Sequence, residues 1–300
     1  MMIKTMDGLI DEAKKMKKAT LVVAMANDKP VLEAVFDARR DGLADLVLVG
    51  PKDEIASMAK AHGQDTASLE IIDETDPVKA CRKAVQIVSS KKRHFLMKGL
   101  VDTAVILKAV LDKDIGLRTP NRLSHVSVMD IPGYHKLLLM TDGAMNMYPD
   151  VDTKQEILEN ALVVTDALGI HHPNVACVCA IEKVNPKMQP TVDCQELVER
   201  YLNGRIKGCV IGGPFGLDNA VDKEAALHKG ILDPMAGDAD ILLMPQIESG
   251  NVFYKAMMFL TKTKSASVIV GARKPVVLTS RADTRETKYQ SIALGALMAD

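Results

Sequence analysis

The 300-residue sequence has no tryptophan, and its aromatic residues amount to only 3%. Stacking platforms for bases or sugars are therefore not expected. It has almost no net charge, with 38 Lys and Arg against 39 Asp and Glu. A global basic field for nucleic acid is excluded by that balance, although a local basic pocket is not. No run approaches the ~18 apolar residues of a membrane span. Residues 1–18 mix charged and apolar side chains, without the apolar core of a signal peptide. The five cysteines, Cys81, Cys177, Cys179, Cys194 and Cys209, are odd in number and never form C-x-x-C. Reduced thiols in a cytoplasmic protein are the expectation. Also missing are the P-loop, the dinucleotide fingerprint G-x-G-x-x-G and the nucleophile elbow G-x-S-x-G.

What is present is the composition of a folded globular protein. Hydrophobic residues make up 47% and charged residues 26%, which excludes general disorder. The length favours two domains. Short apolar runs occur at 20–25, 46–49, 69–72, 94–97, 126–129, 136–140, 174–179, 207–211, 241–244, 267–270 and 275–278. Most are continuous rather than alternating, as in strands covered on both faces. Helical periods lie between most of them. Residues 248–260 place Val252, Phe253, Ala256, Met257 and Leu260 on one face, and residues 283–298 do the same with Tyr289, Ile292, Ala293, Ala296 and Leu297. Thr153 and Glu156 form a capping box for a helix carrying Ile157, Leu158, Ala161, Leu162 and Leu168. This order predicts an α/β protein with mostly parallel sheets and helices on both faces. The rhythm breaks once, at 123–140, where Pro132-Gly133 separates two strand-like runs with no helix between them. A domain boundary is expected there.

Ligands of open α/β sheets collect beyond the carboxyl ends of the strands, so the chemistry is sought in the residues that follow each run. Lys98-Gly99 combines a charge with a position open to close backbone approach. A solvated lysine at a turn is its plainer reading. Asp142 and Asn146 lie in a small, polar segment that ends at Pro149-Asp150. Gly213-Pro214 and Asp218 belong to a glycine-rich loop able to wrap a ligand. Glu248, Gly250 and Asn251 enter a helix, where Glu248 is also a favourable dipole partner. Ser280, Arg281 and Asp283 precede the last helix, with Asp283 as its expected cap. A guanidinium beside free backbone N–H groups suits a phosphate or an oxyanion. His171-His172 has no carboxylate or Cys at ligand spacing, so a surface loop is expected instead of a metal site.

Taken in order, these segments resemble one family. They are Thr141-Asp142-Gly143-Ala144-Met145-Asn146 with Pro149-Asp150, Gly213-Pro214 with Leu217-Asp218-Asn219-Ala220, and Ala236-Gly237-Asp238-Ala239-Asp240-Ile241-Leu242. Pro245 with Ile247-Glu248-Ser249-Gly250-Asn251 follows, then Gly271-Ala272-Arg273-Lys274-Pro275 running on to Thr279-Ser280-Arg281-Ala282-Asp283. The ordered set is similar to that of the phosphate acetyl/butyryl transferases across essentially the whole chain. His228-Lys229-Gly230-Ile231 and Thr284-Arg285-Glu286-Thr287-Lys288 are closer to the butyryl branch than to the acetyl branch.

The resemblance implies a fold like that of the isocitrate and isopropylmalate dehydrogenases, with two α/β domains flanking a cleft. The first would comprise 1–132 plus 271–300, and the second 133–270. It implies a reversible transfer of a short acyl group between CoA and inorganic phosphate by direct attack in a ternary complex. CoA would be a co-substrate, with no cofactor or metal required, and the protein would form a homodimer or larger homo-oligomer. Arg281 and Ser280 would be catalytic, matching a Ser-Arg pair of the acetyl branch. Lys98, Gly99, Thr103, Asp142, Asn146, Gly213, Pro214, Asp218, Glu248, Gly250, Asn251 and Asp283 would bind acyl-CoA, CoA or phosphate, with Arg118 and Arg122 as further basic groups. The acetyl branch has an Asp six residues after its Arg, as a base for the CoA thiol. Here that position is Thr287. Gly143 stands where that branch has Cys, so no acyl-cysteine can form there. The competing readings are acetyl transfer, a metal-dependent oxidative decarboxylase on the same fold, and a non-catalytic protein that binds CoA or acyl phosphate.

Overall fold

A computed structural model describes residues 2–299. In chain order its elements begin with α1 (Met6–Lys15), β1 (Ala19–Ala24), α2 (Lys29–Arg40), β2 (Ala44–Gly50), α3 (Lys52–Ala61), β3 (Glu70–Asp73), α4 (Pro77–Ser90), β4 (His94–Lys98) and α5 (Thr103–Val110). Next come β5 (Ser124–Asp130), β6 (Leu138–Thr141), α6 (Val151–Ala167), β7 (Asn174–Val178), α7 (Gln189–Leu202), β8 (Val210–Phe215), α8 (Leu217–Val221) and α9 (Lys223–His228). The order closes with β9 (Ile241–Leu243), α10 (Ile247–Leu260), β10 (Lys264–Val270), β11 (Val276–Val277) and α11 (Arg285–Met298). Each of the eleven apolar runs read from the sequence overlaps one of these strands.

The chain divides into two compact units. One holds 7–121 and 266–299, and the other 2–6 and 122–265. In the first unit the strand order is β3-β2-β1-β4-β11-β10. β1 pairs parallel with β2 and β4, β2 with β3, and β4 with β11, whereas β10 and β11 are antiparallel. From β1 the chain moves outward to β2 and β3, then returns to β4 on the opposite side. Right-handed crossovers therefore put α2 and α3 on one face and α4 on the other. Leu21, Val22, Val23, Leu48, Phe95, Leu96 and Met97 are fully buried, as expected for strands covered on both faces.

In the second unit the order is β5-β6-β9-β7-β8. β5 and β6 are antiparallel, with Val128 opposite Leu139, and the remaining pairs are parallel. This hairpin flanks Pro132-Gly133 and lies within a single unit. Residues 2–6 and 122–132 accordingly cluster with the second unit and residues 266–270 with the first, each the reverse of the sequence expectation. The core here joins Met129, Leu138, Met140, Ala176, Phe215 and Leu242 to Phe253, Tyr254 and Met257 of α10.

Three helix details differ from expectation. The cap of α6 is Asp150, which accepts from the Thr153 N–H at 2.8 Å, rather than Thr153 itself. The cap of α11 is Thr284, which accepts from the Thr287 N–H at 3.1 Å, rather than Asp283. On α10 the expected apolar face is split. Phe253 and Met257 pack on the core, while Val252 and Leu260 are exposed.

Candidate active site

In the first unit the strand-end residues gather at β4 and β11. β4 ends at Lys98, which is 7% exposed. Its Nζ donates to the Val101 carbonyl at 3.2 Å and the Gly99 carbonyl at 3.3 Å. Burial, helped by repulsion from Arg281 and Lys288, holds its ammonium below the ordinary lysine range, and Asp28 and Asp102 oppose the shift. Gly99 donates to the Ala24 carbonyl at 2.8 Å, and a Cβ there would lie 2.0 Å from the Met25 carbonyl oxygen. Only glycine allows this loop to touch the end of β1. Thr103 opens α5 behind its cap residue Asp102.

Segment 278–284, between β11 and α11, has neither helix nor strand. It is fastened by its own groups. The Ser280 N–H donates to Asp283 Oδ2 at 2.6 Å, and the Ala282 N–H to Ser280 Oγ at 3.3 Å. Arg281 projects from this turn with its side chain 73% exposed, and its guanidinium donates to Asp102 Oδ1 at 3.1 Å. Lys288 reaches the turn from the first turn of α11. The structure thus brings together Lys98, Gly99, Thr103, Ser280, Arg281 and Asp283. Thr287, at the position of the acetyl branch's base, is 3% exposed, and its hydroxyl lies 3.0 Å from that of Thr284. It serves the helix cap.

The second unit joins Asp142, Asn146, Glu248, Gly250 and Asn251. Asp142 is 3% exposed and its carboxylate is enclosed by donors. Oδ1 accepts from the N–H groups of Ala144 and Met145, and Oδ2 from Asn146 Nδ2 at 2.7 Å and from the N–H groups of Asn146 and His125. The sequence marked Asp142 as a ligand group; in the structure it folds its own loop. Asn251 Nδ2 donates to the Gly143 carbonyl at 3.1 Å, and the Tyr148 hydroxyl to Glu248 Oε1 at 2.7 Å, so the 141–150 and 244–251 loops are laced together. That bond raises the Tyr148 pKa. A Cβ on Gly250 would meet the Asp142 carbonyl oxygen at 2.7 Å and Gly143 Cα at 2.8 Å, so the loops approach backbone to backbone.

Gly213, Pro214 and Asp218 lie apart from this pair of loops, at edge strand β8 and the start of α8. Asp218 Oδ2 pairs with Lys229 Nζ at 2.8 Å, and Lys229 also pairs with Glu182 at 2.6 Å. Lys229 holds both carboxyls below their usual range. Elsewhere, Arg122 pairs with Glu156 at 3.4 Å and Arg118 is exposed. His171 is exposed beside Asp166. Among the described residues, no three His, Cys, Asp or Glu side chains could hold a metal ion.

Sequence reading missed Asp102 and Lys288. Asp102 had a signal, since it follows a strand end at a cap position. Lys288 had a subtler one, a cation in the first turn of a helix, where the dipole disfavours it.

The phosphate acetyl/butaryl transferase family model matches residues 5–80 and 77–296. A phosphate butyryltransferase of Clostridium acetobutylicum is 48% identical over 99% of both chains. A phosphate acetyltransferase of Thermotoga maritima is 46% identical over 94% of this chain and 96% of its own. Among solved structures, a branched-chain phosphotransacylase from Enterococcus faecalis V583 superposes with a TM-score of 0.83 at 31% identity, covering 93% of this chain and 98% of the other.

Proposed function

The chain belongs to the phosphate acetyl/butaryl transferase family, and from that premise we propose that it moves short acyl groups, four-carbon ones preferred, between CoA and inorganic phosphate. A phosphate oxygen attacks the thioester carbonyl, the C–S bond breaks, and CoA leaves as its thiolate; the reverse reaction returns the acyl group to sulfur. Both directions pass through a tetrahedral oxyanion, so the site must hold two anionic partners and stabilise new negative charge. Arg281 grips the phosphate or the developing oxyanion. Ser280 orders the turn that carries Arg281 and offers its hydroxyl to the reacting oxygens. Lys98 adds positive potential beneath them.

One observation carries this reading. Arg281 is an exposed guanidinium on a turn at a strand's carboxyl end, and Lys98 lies near enough to be repelled by both Arg281 and Lys288. Such a cation cluster is built for a multiply charged oxyanion. Thr287 offers no carboxylate to act as thiol base, which favours direct transfer helped by a positive site. The four-carbon preference rests on the butyryl-like segments 228–231 and 284–288 and on the 48% identity over nearly the whole chain. Acetyl transfer is the competing reading, supported by the 46% identity to an acetyltransferase.

Five free, buried thiols support a reducing compartment, the cytoplasm. Exposed Val252, Phe259 and Leu260 on α10 support a homo-oligomer, which light scattering tests.

The deciding experiment is thiol release from acetyl-, butyryl- and isobutyryl-CoA, with and without phosphate. Release should require phosphate and favour the four-carbon chains, each methylene being worth ~1–3 kcal/mol in a fitted pocket. Arg281→Ala should cut the rate by about 10²–10³, as for loss of one oxyanion donor. Thiol release without phosphate refutes the reaction. Equal or better turnover of acetyl-CoA transfers the assignment to the acetyl branch. CoA binding without turnover leaves a binding protein.

A further inference from the structure

Lys288 breaks a local rule. It lies in the first turn of α11, where the helix dipole disfavours a cation, and it is only 3% exposed. Burying an ammonium is costly unless its protons find acceptors. Its Nζ donates to the Asp283 carbonyl at 2.6 Å and to the Ser280 carbonyl at 3.3 Å. Those two carbonyls bracket Arg281. The segment that carries them has no helix or strand ladder of its own, so a side chain from the following helix supplies what a ladder would. Burial keeps the Lys288 ammonium below its ordinary range, against the pull of Asp283 and Asp28. A neutral chain of similar length would occupy this place at lower cost. Sequences depart from local rules in this manner where function requires it.

We propose that Lys288 is a positioning residue for phosphate, its ammonium fixing the Ser280–Asp283 turn so that Arg281 presents its guanidinium in one orientation. Lys288 itself does not touch phosphate. The inference rests on the proposed acyl transfer, and it concerns only how the turn is held.

The test is steady-state release of CoA from butyryl-CoA by wild type, Lys288→Met and Lys288→Arg, with phosphate and acyl-CoA varied separately and thermal unfolding recorded for each. Methionine keeps most of the length and apolar contact and removes the charge. In Lys288→Met the KM for phosphate should rise about tenfold or more, as for loss of a charge-assisted bond, while the KM for acyl-CoA stays within about twofold. Thermal stability should not fall. Lys288→Arg should recover most of the phosphate KM, since a guanidinium can reach both carbonyls. An unchanged phosphate KM in Lys288→Met overturns the inference. A loss in which both KM values, kcat and stability move together, with nothing regained by Arg, overturns it as well. Should Lys288→Met not fold, Lys288→Gln against Lys288→Arg carries the comparison, and equal phosphate KM values in the two refute it. Wild type without phosphate-dependent CoA release refutes the proposed reaction itself, and this inference with it.

Discussion

Replacing Asp102 with Asn should tighten phosphate rather than weaken it. The Asp102 carboxylate is bonded to the guanidinium proposed to take phosphate, at 3.1 Å, so phosphate must displace it. Both side chains are largely exposed, 73% for Arg281 and 78% for Asp102. An exposed pair of this kind contributes at most ~1 kcal/mol, which bounds the gain at about fivefold in affinity. The substitution is structurally mild. Asp102 precedes α5 as its cap residue but makes no side-chain cap bond, and Asn is as good a cap as Asp. The assay is initial CoA release from butyryl-CoA at pH 7 over a range of phosphate, at low and high KCl. The phosphate KM of Asp102→Asn should fall about two- to fivefold at low salt, with kcat and the KM for acyl-CoA unchanged. The advantage should shrink as salt screens the pair, the Debye length being about 10 Å at 0.1 M. A phosphate KM that stays level or rises at low salt would refute the idea that carboxylate and phosphate compete for Arg281.

Two further outcomes concern buried cations. Lys154 and Asp193 are 4% and 6% exposed and meet at 2.6 Å, so Lys154→Met strands a buried carboxylate and should lower the unfolding free energy by about 3–5 kcal/mol; a loss under about 1 kcal/mol in urea titration contradicts this. Lys98 is the opposite case, because burial lowers its folded-state pKa below the ordinary 10.5. The unfolded chain keeps a proton there that the folded chain tends to release, so wild-type stability rises with pH between the lowered value and 10.5. Lys98→Met should therefore be the more stable protein at pH 7, by about 0.5–2 kcal/mol, with its advantage fading as the pH approaches 10.5. A variant less stable than wild type at pH 7 would show that the bonds to Gly99 and Val101 outweigh the charge.

How legible was all this in the sequence? The strands were, because short continuous apolar runs bounded by turn residues have few other places to go than a sheet covered on both faces. Helix starts were less so. Asp150 and Thr153 both stand before α6, and Asp283 and Thr284 both before α11. Which side chain turns back to the free N–H groups is settled by the path of the incoming loop, not by composition. The site was legible as places rather than roles. Asp142 reads as a polar residue at a strand end, yet its oxygens are used up on its own loop. Asp102 and Lys288 were invisible as partners of the Arg281 turn, Asp102 because 179 residues separate it from Arg281, and Lys288 because spacing alone does not show whether its side chain runs out to solvent or back onto the 280 and 283 carbonyls.

The position of β11 bears on how the chain is made. β4 lies between β1 and β11, and the ring of Phe95 packs where Gly295 of α11 has no side chain. Both β11 and α11 are translated only after the whole of 122–265. At ~5–20 residues per second, the nascent chain carries β4 with one edge unpaired for roughly 10–40 s. Meanwhile residues 122–265 emerge as one uninterrupted stretch and can finish first. The open edge is a ready template for pairing with a neighbouring nascent chain. Heterologous production should thus depend on chaperone supply and translation speed far more than the stability of the finished protein would imply.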